Sequence, residues 1–185
     1  MGERLRALRK QRGLTLKALS AHSAVALSTL SKMELGQVSA SYEKFAAVAR
    51  ALEVDIAALF DPAHDGARSV AAKPLVVRST LAAAPRHDSP QYRYRPLAGS
   101  YPGKRMQPMH GTIVARRLDE FADYVRHPGQ EFITVLAGRI RICFESGETL
   151  ELGRSDSAYF DSGVGHVYLS LGRADAQVMV VMTEG

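Results

Sequence analysis

The apolar residues of this chain change their spacing once, and that change limits what the chain can fold into. Up to residue 60 they recur at helical intervals: Leu5 and Leu8, Leu16 and Leu19, then Phe45, Val48, Ala49 and Leu52. From about residue 75 they alternate instead. Arg139-Ile140-Arg141-Ile142-Cys143-Phe144 sets Ile140, Ile142 and Phe144 on one face and Cys143 on the other. Between the two regimes, residues 61–74 read DPAHDGARSVAAKP, rich in Pro, Gly and Ala and without a periodic apolar face. The expected organisation is a helical domain over residues 1–61, a linker over 62–74 and an all-β domain over 75–185. A chain of 185 residues has room for two such cores and not for three.

Within the helical part, Ser23 to Gln37 (SAVALSTLSKMELGQ) is the informative stretch. Val25, Leu30 and Met33 can be buried by one helix face and the turn before it, which leaves Ser28, Thr29, Ser31 and Lys32 outside. Short hydroxyls and a cation are what a helix in a DNA major groove needs, because they bond base edges or phosphate oxygens. An ordinary amphipathic helix with a solvated polar face would show the same pattern. Its neighbours favour the DNA reading. Leu5, Leu8 and Leu14 with Arg4, Arg6, Arg9, Lys10 and Arg12 predict a basic first helix closed by Gly13. Thr15 can cap a second helix that buries Leu16 and Leu19, and a turn at His22–Val25 would join it to the third. Ser39 or Ser41 can cap a fourth helix, and Asp55 a fifth that carries Ile56, Leu59 and Phe60.

Charge follows the same division. The chain has a formal charge of +5, and residues 1–60 hold nine Lys or Arg against five Asp or Glu. The basic excess therefore sits on the helical module, as phosphate neutralisation requires. Ser28, Thr29 and Lys32 are the candidates for reaching bases or phosphates. Lys17, Ser31 and Gln37 are candidate phosphate contacts, and Arg6 and Arg9 are expected to add only field.

Leu5-Arg6-Ala7-Leu8-Arg9, Gly13-Leu14-Thr15-Leu16, Leu19, Ser28 to Glu34 with Gly36, and Ala49 to Leu52 through Leu59-Phe60 together resemble the lambda-repressor-like (XRE) DNA-binding domains. The resemblance implies a compact all-α fold of five helices. One departure is Ala26, where family members often carry Ser or Asn. It is expected to weaken the helix N-cap by roughly 1 kcal/mol.

The start MGERLRALRK is charged and lacks the apolar core of a signal peptide, and no window has the length of uncharged apolar sequence that spans a bilayer. Cys143 is the single cysteine, so no internal disulfide forms, and a cytoplasmic location is expected.

In the second half, strands are expected at Leu75–Arg78, Tyr92–Arg95, Gly111–Arg116, Phe132–Leu136, Arg139–Phe144, Thr149–Leu152, Ser157–Phe160, His166–Leu171 and Gln177–Met182. Nine short strands separated by Gly, Pro and Asp turns suggest a sandwich or small barrel. His127, Glu131 and His166 could converge there as a facial triad for a divalent metal, or line a pocket and hydrogen-bond a small molecule or each other. Tyr92, Tyr94, Tyr159, Arg139 and Arg141 are further candidates for a pocket wall. His22, His64, His87 and His110 have no partner pattern and read as surface or turn residues.

His127-Pro128-Gly129-Gln130-Glu131 with Gly138, and Tyr159 to His166, resemble the two motifs of the cupin superfamily, a double-stranded β-helix or jelly roll. In metal-binding cupins the first motif has a further histidine, and Val125 stands at that position here. Gly165 replaces a common proline, Ser155 a frequent glycine and Ser170 an asparagine. The resemblance implies that His127, Glu131 and His166 hold one divalent metal (iron, zinc or nickel), with the vacant positions open to water or ligand.

The joint architecture resembles bacterial one-component transcriptional regulators, in which the cupin dimerises the protein and senses a small molecule. Such a homodimer would set two recognition helices on a pseudo-palindromic operator in double-stranded DNA. The alternative is a mononuclear non-haem iron enzyme, because hydroxypropylphosphonate epoxidases share the domain order and the His-x-x-x-Glu and later His spacing.

Overall fold

A computed structural model of the chain describes residues 2–37, 42–54, 56–59, 76–101 and 103–183. It divides into two compact units, residues 1–78 with 98–103, and residues 79–97 with 104–185. The expected linker at 62–74, the caps at Ser39, Ser41 and Asp55, and Phe60 and His64 lie outside the described residues.

The helical unit contains α1 (Gly2–Gln11), α2 (Leu16–Ser23), α3 (Leu27–Glu34) and α4 (Tyr42–Ala51). The expected fifth helix is a single 3-10 turn, Ile56–Leu59, so the described fold has four α-helices rather than five. Four residues close too few hydrogen bonds to sustain an α-helix alone. The core is largely the predicted one: Leu5, Leu8, Leu19, Leu30, Met33, Phe45, Val48 and Leu52 are all buried, whereas Leu16, expected inside, is half-buried.

The turn that sets α3 against α2 is built by two serines. The Ser20 hydroxyl donates to the Val25 carbonyl at 2.7 Å, and Ser23 donates to the Leu19 carbonyl at 2.7 Å. Just after Ser23, Ala24 takes φ 55°, a left-handed turn conformation. Thr15 caps α2 by accepting from the Ala18 N–H at 3.0 Å, whereas Ala26 gives α3 no side-chain cap. Gly36, at φ 67°, ends α3. The Gln37 N–H reaches the Lys32 carbonyl at 2.9 Å and the Gly36 N–H reaches Met33 at 3.2 Å, a Schellman closure.

Arg9 corrects the expectation of a field-only role. It is buried, its Nε donating to Glu34 Oε1 at 2.6 Å and its Nη2 to Oε2 at 3.0 Å, and its Nη1 holds the Leu14 carbonyl at 2.8 Å. This fork ties α1 to the last turn of α3 and to the loop before α2.

The second unit is two antiparallel sheets. Strands β1 (His87–Asp88), β2 (Tyr92–Pro96), β3 (Met106–Ile113), β4 (Gln130–Ala137), β7 (Ser157–Asp161) and β9 (Ala176–Thr183) form one, in the order β1-β2-β3-β9-β4-β7. Strands β5 (Ile140–Phe144), β6 (Thr149–Leu152) and β8 (His166–Ser170) form the other, in the order β6-β5-β8. Residues 76–78 are not a strand, and the short β1 takes the place in the count of the strand expected there. Strand β3 begins well before the expected Gly111, at Met106, with Pro108 inside it.

Alternation decides which side chains enter the space between the sheets. From the larger sheet these are Tyr92, Tyr94, Met109, Ile113, Ile133, Val135, Val178 and Val180, and from the smaller Ile140, Ile142 and Tyr168. Gly111 is required in this layer, because a Cβ would lie 2.9 Å from the Tyr94 ring and from Val178. Cys143 does face away from the isoleucines, yet it is buried. It packs with Ala115, Val167 and Leu169 beneath Phe121 and Tyr124, which covers β8 on both faces.

One departure from the cupin pattern acquires a physical reason, and another shows why the family residue is favoured. The Gly165 N–H donates to Glu145 Oε1 at 2.9 Å, a bond proline cannot make, and a Cβ would meet Glu145 and Tyr124. Ser155, where glycine is frequent, adopts φ 71°. Ser155→Gly is therefore expected to raise stability by about 1 kcal/mol, because glycine takes a left-handed conformation without the Cβ penalty. A thermal melt with an unchanged or lowered midpoint would refute it.

Among the described residues, no helix is long and apolar enough to cross a membrane.

Candidate functional site

On the helical unit, the buried residues of α3 are Leu30, Met33 and Glu34, so the opposite side of the helix is open. Ser28 and Lys32 point outward and are exposed, while Thr29 and Ser31 are half-buried at the flanks of that face. Lys17 on α2 and Gln37 after α3 are exposed as well. Leu35, unremarked in the sequence, stands 61 % exposed just beyond Lys32. Helical spacing places it on the same side as Ser28 and Lys32, so the signal was available.

In the β unit, His127, Glu131 and His166 converge. Glu131 is the second residue of β4 and points inward with Ile133 and Val135. His166 opens β8 and is inward by the same alternation as Tyr168. His127 lies just before β4, held by its N–H to the Ser162 carbonyl at 3.0 Å. Gly129 lets the chain turn from His127 into β4 at φ 102°, and a Cβ there would collide with the Thr183 carbonyl.

One ligand atom from each of the three residues can be chosen so that all lie within 4.8 Å of one another. Glu131 Oε2 is 2.9 Å from His127 Nε2 and 3.5 Å from His166 Nε2. The Tyr168 hydroxyl donates to the other carboxylate oxygen. His166 Nδ1 lies 2.8 Å from the Val164 carbonyl, which only accepts, so Nδ1 carries a proton. In a neutral ring His166 Nε2 is then a lone pair turned toward a carboxylate oxygen. Two acceptors so placed, 3.5 Å apart, can share a cation, either a proton or a metal. Two imidazoles with an oriented tautomer and one buried carboxylate form a set that fits a divalent metal.

The electrostatics agree. Burial pushes the Glu131 pKa up, but hydrogen bonds from His127 and His166 outweigh it and bring the value from 4.5 to about 2. Burial and then the Glu131 charge push the Tyr168 hydroxyl well above its ordinary value, so it remains a donor. Phe160 shields His166 edge-on at 4.9 Å. Val125, at the position of the family's further histidine, is bound through its backbone to His166 in an isolated bridge.

Sequence reasoning missed Tyr168, although it stands two residues after His166 and must share its face. Of the suggested pocket residues, Tyr92 and Tyr94 are inside, and the Tyr92 hydroxyl accepts from the Tyr168 N–H at 2.8 Å. Tyr159 is 64 % exposed, and Arg139 and Arg141 pair with Glu151 at the surface. His22 is exposed as expected, but His87 and His110 are buried in the larger sheet rather than at the surface.

Residues 1–61 match the helix-turn-helix domain family, and residues 119–182 match the cupin domain family. No curated protein matches the chain. Among solved structures, an HTH_3 family transcriptional regulator from Vibrio cholerae is similar over 100 % of this chain and 94 % of its own, with 20 % identity and a TM-score of 0.67. Hydroxypropylphosphonic acid epoxidase from S. wedmorenis is similar over 98 % of this chain and 95 % of its own, with 21 % identity and a TM-score of 0.53. At these identities the likeness is one of fold. The chain thus joins an N-terminal helix-turn-helix domain to a C-terminal cupin domain.

Proposed function

We propose that this protein is a sequence-specific DNA-binding transcriptional regulator that acts as a homodimer on a pseudo-palindromic operator. The observation that carries this reading is the outer face of α3, where Ser28 and Lys32 are free of the core while Leu30 and Met33 anchor the helix. Ser28, Thr29 and Lys32 reach bases or phosphates, Lys17, Ser31 and Gln37 position the backbone, and Leu35 offers an apolar contact for a thymine methyl. His127, Glu131 and His166 hold one divalent metal (iron, zinc or nickel), which supplies a Lewis-acidic anchor for an oxygen or nitrogen group of the small molecule sensed.

Selection of genomic fragments by the purified protein at physiological salt tests this. Recovery of a few related palindromes, bound far more tightly than bulk DNA, is the expected result. Lys32→Ala is expected to weaken operator binding and reduce the salt dependence by about one phosphate contact. Unchanged affinity and slope would remove Lys32 from the interface.

A second reading is supported by the triad itself, since two imidazoles and a carboxylate with open positions also suit a mononuclear iron enzyme. Weak, sequence-indifferent DNA binding together with stoichiometric iron would favour it over the regulator.

A further inference from the structure

The outer face of the larger sheet, turned away from the His127–Glu131–His166 cluster, carries a second constellation. The register of β2 and β3 pairs Arg93 with Thr112 and Arg95 with His110. Alternation sends these four side chains to the side opposite Tyr92, Tyr94 and Ile113. Together with Leu81 and Arg86 they line a cavity of about 430 Å³.

The charges in this cavity are unevenly matched. None of its lining residues is acidic. The Arg95 guanidinium donates to the Leu81 carbonyl at 2.6 Å, which fixes its direction without neutralising it, and among the described residues no carboxylate pairs with it. Arg93 lies 3.5 Å from Asp175, whose other oxygen is held more closely by Arg116 at 2.9 Å, outside the cavity. Arg86 pairs with Asp88 at 2.8 Å, but both side chains are exposed, and such a pair is worth little and exchanges readily. His110 is 9 % exposed at the cavity wall and makes no hydrogen bond with a described residue. An imidazole at the cavity wall with no protein partner, beside an oriented and uncompensated guanidinium, leaves donors available to an acceptor that enters the cavity.

We infer that this cavity binds a small oxyanion, the carboxylate or phosphate group of an organic molecule. Arg95 and Arg93 supply planar forks that match either oxyanion. His110 and Thr112 add donors at the sheet, and Leu81 covers the organic part. The volume falls within the range of about 300–1,000 Å³ usual for small-molecule sites. The site is separate from the His127–Glu131–His166 cluster and does not depend on whether α3 reads DNA, so the full chain would take two ligands.

Titration calorimetry on the full-length protein tests this, with inorganic phosphate and succinate as the two probes and ionic strength held constant with sodium chloride. Saturable binding of one equivalent per chain is expected for at least one probe, and which probe binds distinguishes a phosphate site from a carboxylate site. Arg95→Gln is expected to weaken that binding at least tenfold. Arg93→Gln, whose side chain is partly exposed and whose replacement leaves the interior intact, is expected to do the same. Arg117→Gln, an exposed guanidinium elsewhere on the unit, should leave it unchanged. Absence of saturable binding for both probes would overturn the inference, as would binding that survives both Arg95→Gln and Arg93→Gln.

Discussion

Arg9→Ala is expected to unfold the helical unit at a far lower denaturant concentration than the parent chain. The guanidinium makes two bonds to Glu34, at 2.6 and 3.0 Å, and a third to the Leu14 carbonyl at 2.8 Å. The two side chains are 11 % and 6 % exposed, so neither charge has much water to fall back on. Removing one partner leaves a buried carboxylate uncompensated, at a loss of about 3–5 kcal/mol. That is a large share of the roughly 5–15 kcal/mol that holds a small domain together. Urea unfolding followed by helical circular dichroism measures it. Arg9→Met combined with Glu34→Leu should recover most of the loss, because an apolar pair needs no counter-charge. Arg9→Ala should also lower DNA affinity without removing a DNA contact, since the fork holds the last turn of α3 against α1. An unchanged urea midpoint would show that the pair contributes little.

Arg9 also shows where the sequence stops being legible. The apolar stripe of α1, its closure at Gly13, the Thr15 cap and the end of α3 at Gly36 all follow from local rules, and all are present. A charged pair separated by 25 positions leaves no periodic trace, so Arg9 read as one more surface cation. The β unit follows the same logic. Ile140, Ile142 and Phe144 alternate cleanly and sit as expected, whereas Pro108 concealed the first half of β3 and residues 76–78 imitated a strand. His110 looked like a surface histidine because its surroundings are made by Arg95, paired across the strands through long-range register. The convergence of His127, Glu131 and His166 was open in spacing alone, and resemblance to the cupin motifs pointed to it. Once His166 is placed, Tyr168 follows from strand geometry.

Glu131→Gln is expected to produce the second large effect, on both metal content and acid stability. The carboxylate is the one anionic member of the triad and the shared partner of both imidazoles. After exposure to iron(II), zinc(II) or nickel(II) and removal of excess, the parent chain should retain close to one equivalent of the preferred metal and melt at a higher temperature. Glu131→Gln should retain little and show no such rise, because an amide neither carries the charge nor holds a divalent ion well against water. In metal-free protein the same residue governs the acid limb. Its folded pKa of about 2 lies below the ordinary 4.5, so its contribution is fully present above pH 4.5 and is lost as pH falls through about 2. The difference corresponds to roughly 3 kcal/mol, so the parent chain should lose stability more steeply than Glu131→Gln across that window. Equal metal content and parallel acid limbs in the two proteins would mean that Glu131 carries no special charge coupling. The triad would then be a packed cluster of polar side chains rather than a site built to hold a cation.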